Sequence, residues 1–343
     1  MSWFRRLNLI AVIWCFVVVV FGAYVRLSNA GLGCPDWPGC YGQVAVPEAP
    51  HEVTQAEQAF PQRPVEAPKA WKEMIHRYLV GGLSLLILAM LAMGIADRGR
   101  TLPLPMTLAV VAVILVQIVF GALTVTLKVH PLVVTTHLLL GLTTLSLLWL
   151  QLLMVWRSPT IEVPLSPKVV PITRRTERRP AGVKPLAAFA LVILSAQIFL
   201  GGWTSTNYAA PSCPDFPTCQ GRWWPQTDFA QAFKLSRGFD INYEYGVLDN
   251  IGRLTIHLVH RCGAALVGLL LSAIAVYLLR SSSLRWRRFG VGLLAAVLLQ
   301  ITLGISLVLS HFRLWLGDAH NAGAAILLLT VVALNFFAWQ DRS

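Results

Sequence analysis

The stretch Glu73-Met74-Ile75-His76-Arg77 puts a carboxylate, an imidazole and a guanidinium within one helical turn, at the end of an apolar run that reads to Ala96. Residues three or four apart share a helix face. The pattern returns 184 residues later as His257-Leu258-Val259-His260-Arg261, with histidine where the first copy has glutamate. Imidazole is a metal ligand and a proton carrier near neutral pH. Carboxylate is a base, and guanidinium pairs bidentately with carboxylates. Ionisable groups at this depth in apolar sequence are costly, which makes them functional candidates.

The elements that carry these groups are membrane helices. The chain has 343 residues, 56% hydrophobic and 13% charged, with a mean hydropathy of +0.63. This composition excludes a soluble globule and implies a polytopic all-α membrane protein. Apolar runs of spanning length occupy 7–27, 73–96, 103–127, 131–156, 185–206, 251–279, 289–310 and 315–339, predicting eight transmembrane helices. The first run follows Arg5 and Arg6 and is read as a retained helix rather than a signal peptide, because it is long for one and has a counterpart in the second half.

The net charge of +12 is a matter of topology. Sixteen Lys and Arg fall on the side that holds both termini and the connections 97–102, 157–184 and 280–288; nine fall on the other side. Ten of the 16 acidic residues lie in two long loops, 28–72 and 207–250. Both termini are therefore expected to be cytoplasmic and both long loops external, in the inner (plasma) membrane of a cell. The Arg174-Arg175/Arg178-Arg179 cluster reads as a solvated linker near anionic lipid, with no nucleic-acid partner implied.

The halves repeat. Cys34 to Cys213 is 179 residues, His76 to His260 is 184 and His137 to His320 is 183. Gln117-Ile118 with Gly121 stands before His137 as Gln300-Ile301 with Gly304 stands before His320, and Gln197-Ile198 with Gly201 starts the same pattern in the fifth helix. The expectation is two duplicated four-helix bundles of equal orientation, residues 1–156 and 185–343, joined by a proline-rich cytoplasmic linker at 157–184.

The repeat pairs four of the eight histidines: His76 with His137, and His260 with His320. His76 and His137 are each placed five or six residues inside their helices, roughly 8 to 9 Å from the outer end at the helical rise. Two imidazoles at one depth can clamp a planar metal macrocycle. Haem suits this better than zinc or copper, since it brings four equatorial nitrogens and needs only axial ligands. Gly81, Gly82, Gly141, Gly263 and Gly323 are expected to leave room for the ring. Arg77 and Arg261 admit two readings, holding haem propionates or snorkelling to lipid phosphate. Glu73 also admits two, a proton-handling group or an i,i+4 ion pair with Arg77. His51, His130 and His311 read as loop and turn residues, and Cys15 and Cys262 as small buried side chains.

The remaining cysteines form pairs of identical spacing, Cys34/Cys40 in CPDWPGC and Cys213/Cys219 in SCPDFPTC. On an oxidising external face they are expected to be disulfides that brace the loops over the haem sites.

With Arg26-Leu27-Ser28 leading to GLGCPDWPGC, with Glu73-Met74-Ile75-His76-Arg77, His137-Leu138, His260-Arg261 and Ala319-His320, the chain resembles the haem A synthases of bacterial inner membranes and mitochondria, over nearly its whole length. That resemblance implies oxidation of the C8 methyl of haem O to a formyl group by successive hydroxylations, for haem-copper oxidase biogenesis. It implies a haem b cofactor on His260 and His320, the substrate haem on His76 and His137, and a functional Glu73. A haem O synthase and an electron donor are the expected partners, with homo-oligomerisation possible in principle. The competing class is a two-haem b-type electron-transfer cytochrome serving a quinone, since bis-histidine ligation leaves no open iron position for oxygen.

Overall fold

The structure, a computed structural model, describes residues 2–157 and 179–340. Most of the linker expected at 157–184, with Arg174, Arg175 and Arg178, lies outside the described residues. Among the described residues eight helices are long and apolar enough to cross a membrane. They are α1 (Ser2–Leu27), α3 (Ala67–Ala96), α4 (Leu104–Thr126) and α5 (Pro131–Arg157), then α6 (Val183–Thr206), α8 (Asn250–Leu279), α9 (Leu284–Leu309) and α10 (Leu314–Gln340). Two short helices, α2 (Pro50–Ala59) and α7 (Phe229–Ala232), sit in the long loops.

Local chemistry sets the helix ends. Proline opens α3 and α5, where its missing N–H costs no hydrogen bond. Asp249 caps α8 by accepting from the Gly252 N–H at 2.7 Å. After α3 the Asp97 carboxylate accepts from the Thr101 and Leu102 N–H groups, and Gly99 at φ +65° turns the chain back. Most of the helices overrun the apolar runs: α3 begins at Ala67, not 73, so His76 lies nine residues inside it while His137 lies six inside α5. Hydropathy marks where polar side chains begin, whereas the helix continues until its backbone bonds find other partners.

The helices pack as two rings. In the first, α1 contacts α3 and α5, and α4 contacts α3 and α5; in the second, α6 contacts α8 and α10, and α9 contacts α8 and α10. The rings meet through α1 against α10, α5 against α6 and α5 against α10. One apolar core runs through both rings, from Phe4 and Cys15 through Leu145, Leu148 and Leu194 to Leu271 and Val331. Hydrogen bonds cross between the rings: Arg26 Nη2 to the Ser205 carbonyl at 2.8 Å, Thr135 with Thr206 at 3.1 Å, and Trp149 Nε1 to the Leu329 carbonyl at 3.1 Å. In an apolar medium such bonds and close packing hold helices together. Outward positions such as Leu85, Val192 and Leu269 stay exposed and apolar, as a lipid-facing surface requires.

Candidate functional site

α3 and α5 stand diagonally across the first ring, as α8 and α10 do across the second. Each diagonal pair carries one histidine pair. His76 lies within electrostatic reach of His137, and His260 within reach of His320.

Every one of these imidazoles packs on a glycine of an adjacent helix. A Cβ added at Gly22 would stand 2.8 Å from His76 Nε2, and one at Gly121 3.3 Å from His137 Cε1. At Gly201 it would stand 3.2 Å from His260 Cε1, and at Gly304 3.0 Å from His320 Cε1. Glycine is required there because the ring occupies the space a side chain would take. The glycines singled out from sequence do something else. Gly141, Gly263 and Gly323 make room for the amides of Gln117, Gln197 and Gln300, and Gly82 makes room for Trp14. Gly81 meets no protein atom within 4 Å.

The three glutamines are contributors whose role the sequence did not assign, although their repeated Gln-Ile spacing marked them. Each touches a histidine of its own ring: Gln117 and His137 at 3.4 Å, Gln197 and His260 at 3.0 Å, Gln300 and His320 at 3.3 Å.

Above His76 the site is built from the first long loop. Cys34 and Cys40 are in disulfide geometry with Cα atoms 4.9 Å apart, and Cys213 and Cys219 match them at 4.8 Å. Both loops also fold around an aspartate. Asp36 accepts from the Tyr41 and Gly42 N–H groups, and Asp215 from those of Gln220 and Gly221. The Thr218 hydroxyl and these N–H groups hold the Asp215 carboxyl down at about 2.

Glu73 is buried and bonded twice: Oε1 accepts from Arg77 Nη2 at 2.5 Å, and Oε2 from the Cys34 N–H at 3.0 Å. Arg77 donates further to the carbonyls of Asp36, Pro38 and Gly39. In the second ring Arg261 donates to the carbonyls of Cys213 and Thr218, both at 2.8 Å, and its Nε to His257 Nε2 at 3.2 Å. Each arginine therefore fastens a disulfide loop to the helix that bears the histidine. This contact comes in addition to the two readings the sequence left open and decides neither of them. It engages four of the five N–H donors of Arg77 and three of those of Arg261. His257 takes over the clamp of Glu73 without its negative charge.

The remaining histidines and cysteines fall away from these sites. His130 is buried against Tyr243 at 4.8 Å and Phe239 at 5.7 Å, and burial pushes its imidazole down. His51 and His311 are exposed. Cys15 is buried, but Cys262 is exposed, contrary to expectation. It lies two positions beyond His260 and so turns away from the bundle interior.

The donor set fits haem. Among the described residues no three His, Cys, Asp or Glu side chains are grouped to hold a bare metal ion. Each ring instead supplies two imidazoles on helices that stand diagonally across it. His137 Nδ1 and the Oε1 atoms of all three glutamines are buried without a hydrogen-bond partner, as in a site that has polar work left to do.

Comparison with known proteins gives the same direction. A family model described as cytochrome oxidase assembly protein, COX15-CtaA, matches residues 5–332. The haem A synthase of Shewanella oneidensis is 42% identical over 345 residues, covering 100% of this chain and 98% of that protein. Those of Caulobacter vibrioides and Shouchella clausii are 27% and 23% identical, covering 96% and 81% of this chain and 95% and 76% of theirs. With the paired histidines, the buried glutamate and the two clamped disulfide loops in place, these matches show that the chain belongs to the haem A synthase family.

Proposed function

We propose that this protein is the haem A synthase of its cell, an oxidoreductase that converts the C8 methyl of haem O to a formyl group by successive hydroxylations. The observation that carries the reading is the difference between two otherwise parallel sites: His76 has a buried carboxylate one turn away, and His260 has His257 in that place. The electron-transfer alternative gives no reason for that difference, and the family match does not favour it.

The proposed division of labour assigns residues 1–156 to the substrate and 185–343 to the cofactor. His76 and His137 would hold the iron of haem O, and His260 and His320 that of a resident haem b. A bound haem b supplies one-electron redox chemistry; the rest falls to side chains. The double bond set of Glu73 fixes its carboxylate beside His76 in a low-dielectric interior. There it can accept a proton from the substrate methyl region or stabilise positive charge that develops on it. Arg77 and Arg261 keep the external lip of each site closed through the disulfide loops, and their unengaged N–H donors remain available to propionates. Haem O delivered by a haem O synthase, reducing equivalents from an electron donor, an inner-membrane setting with external long loops, and possible self-association complete the proposal.

The test is pigment analysis of the full chain expressed with a source of haem O. Extracted haem should include haem A or its hydroxylated precursor. Recovery of only haem B and unmodified haem O, with oxygen and reductant in supply, would overturn the reading.

A further inference from the structure

Gly22, His76, Gly121 and His137 meet around the first histidine pair from the four helices of the first ring. Seven residues are almost two turns, so steps of seven along each helix stay on one face. Two such steps toward the end that carries the N-terminus reach Asn8, Met90, Thr107 and Gln151, all buried. The same steps from Gly201, His260, Gly304 and His320 reach Ala187, Ile274, Gly290 and Leu334, which are the counterparts by the repeat intervals of 179, 184 and 183 residues and are buried too. Each layer lies about 21 Å along the helices from its histidines. The first is polar at three of its four positions, and the second is apolar throughout.

The second layer is tightly closed, since a Cβ at Gly290 would stand 2.8 Å from the Ala275 carbonyl oxygen, leaving α9 directly on the backbone of α8. The first layer is only partly matched. Gln151 Nε2 donates to Thr107 Oγ1 at 2.6 Å, and the Thr107 hydroxyl donates to the Pro103 carbonyl at 3.2 Å. Among the described residues, Gln151 Oε1, Asn8 Oδ1 and Asn8 Nδ2 are buried without a hydrogen-bond partner. Arg5 Nη2 donates to the Val155 carbonyl at 3.2 Å, which fixes α1 against α5 and brings Asn8 level with Leu152 and Gln151. The second ring repeats that register: Asn335, the counterpart of Leu152, donates at 2.8 Å to the carbonyl of Ala187, the counterpart of Asn8.

A buried amide without a partner is costly, and proteins satisfy such groups with other protein atoms or with ordered water. Two carbonyl acceptors and one amide donor on neighbouring helices form the set of two to four partners that an internal water takes. We propose that Asn8 and Gln151 bind internal water in the first ring, at a site for which the second ring has no counterpart. The half assigned to the substrate is thereby hydrated inside, on the side away from the long loops, whereas the half assigned to the cofactor is dry. The inference rests on helix faces and unmatched polar atoms and holds whichever haem each ring carries.

Met90, the fourth member of the layer, reports on that water. Hydroxyl radicals made by brief radiolysis of the purified full chain convert a buried thioether to its sulfoxide where water lies beside it, and mass spectrometry counts the product. Ile274→Met places a thioether at the matching position of the second layer. Met90 is expected to be oxidised severalfold faster than the methionine so introduced. Asn8→Ala combined with Gln151→Leu copies the second ring and should bring Met90 down to the slower rate. Equal oxidation of the two methionines overturns the inference, and this comparison needs only the conservative Ile274→Met change. An unchanged Met90 rate in the folded double variant overturns it as well, because the water would then not be held by these amides.

Discussion

Replacing Glu73 in three ways separates a chemical role from a clamping one. The side chain accepts a charged hydrogen bond at 2.5 Å from Arg77 and a neutral one at 3.0 Å from the Cys34 N–H. Glu73→Gln removes the charge but keeps the shape, and because Arg77 retains three loop carbonyls the expected cost is about 2 kcal/mol. Glu73→Ala also strands the buried Cys34 N–H, raising the cost to about 3 to 5 kcal/mol. Glu73→His copies the second ring, where His257 accepts from Arg261 at 3.2 Å, so the arginine keeps its partner and the loop stays fastened, but the Cys34 N–H loses its acceptor and the expected cost is about 1 to 3 kcal/mol. All three lack a carboxylate and should lower haem A formation by about 10²- to 10⁴-fold, the usual contribution of a general acid or base. Product is read by chromatography of extracted haems, second-site occupancy by the reduced-minus-oxidised spectrum, and folding by thermal unfolding in detergent. The reasoning fails if Glu73→His folds, keeps its second-site spectrum and makes haem A at the parental rate. Glu73 would then be an ion-pair residue and nothing more.

Two further outcomes follow from the same geometry. Gly304→Leu adds carbons where a Cβ alone would already stand 3.0 Å from His320 Cε1, so it should displace the ring and abolish the bis-histidine spectrum of the second site without unfolding the first ring; a normal spectrum would place the ligand elsewhere. Arg63 and Glu244 join the two long loops by paired bonds of 2.7 and 3.1 Å, and the Glu244 carboxylate raises the Arg63 guanidinium above its ordinary range. Glu244→Gln should cost about 1 to 2 kcal/mol at the low-salt end and less in high salt, read as thermal unfolding of the loops, because a half-buried bidentate pair is worth more than an exposed one but is still screened; no change would make the pair incidental.

The eight spans, the four histidines and the two cysteine loops were all legible in the chain. Each depends on a quantity that runs along one dimension: apolar length, residue type, or the interval between copies. A helix long enough to cross a bilayer has few alternatives, because in lipid it must satisfy its own backbone. Residue contrast between copies also exposed the odd glutamate. The loops' own structure was less visible, since α2 and α7 are short and polar and lack a strong periodic signal.

Which faces turn inward was decided only by packing. Cys15 and Cys262 look alike in apolar sequence, yet one is buried and the other faces outward, because rotation about a helix axis is set by neighbours on other helices. The glycines that seat the histidines lie on different helices from their rings, and the carbonyls that hold Arg77 and Arg261 come from loops 38 to 48 residues away. The sequence by itself determined the inventory: eight spans, two histidine pairs, and one carboxylate without a counterpart. The tertiary structure decided the pairing, because hydrogen bonds and close contacts act over a few ångströms in space, and distance along the chain says little about that separation.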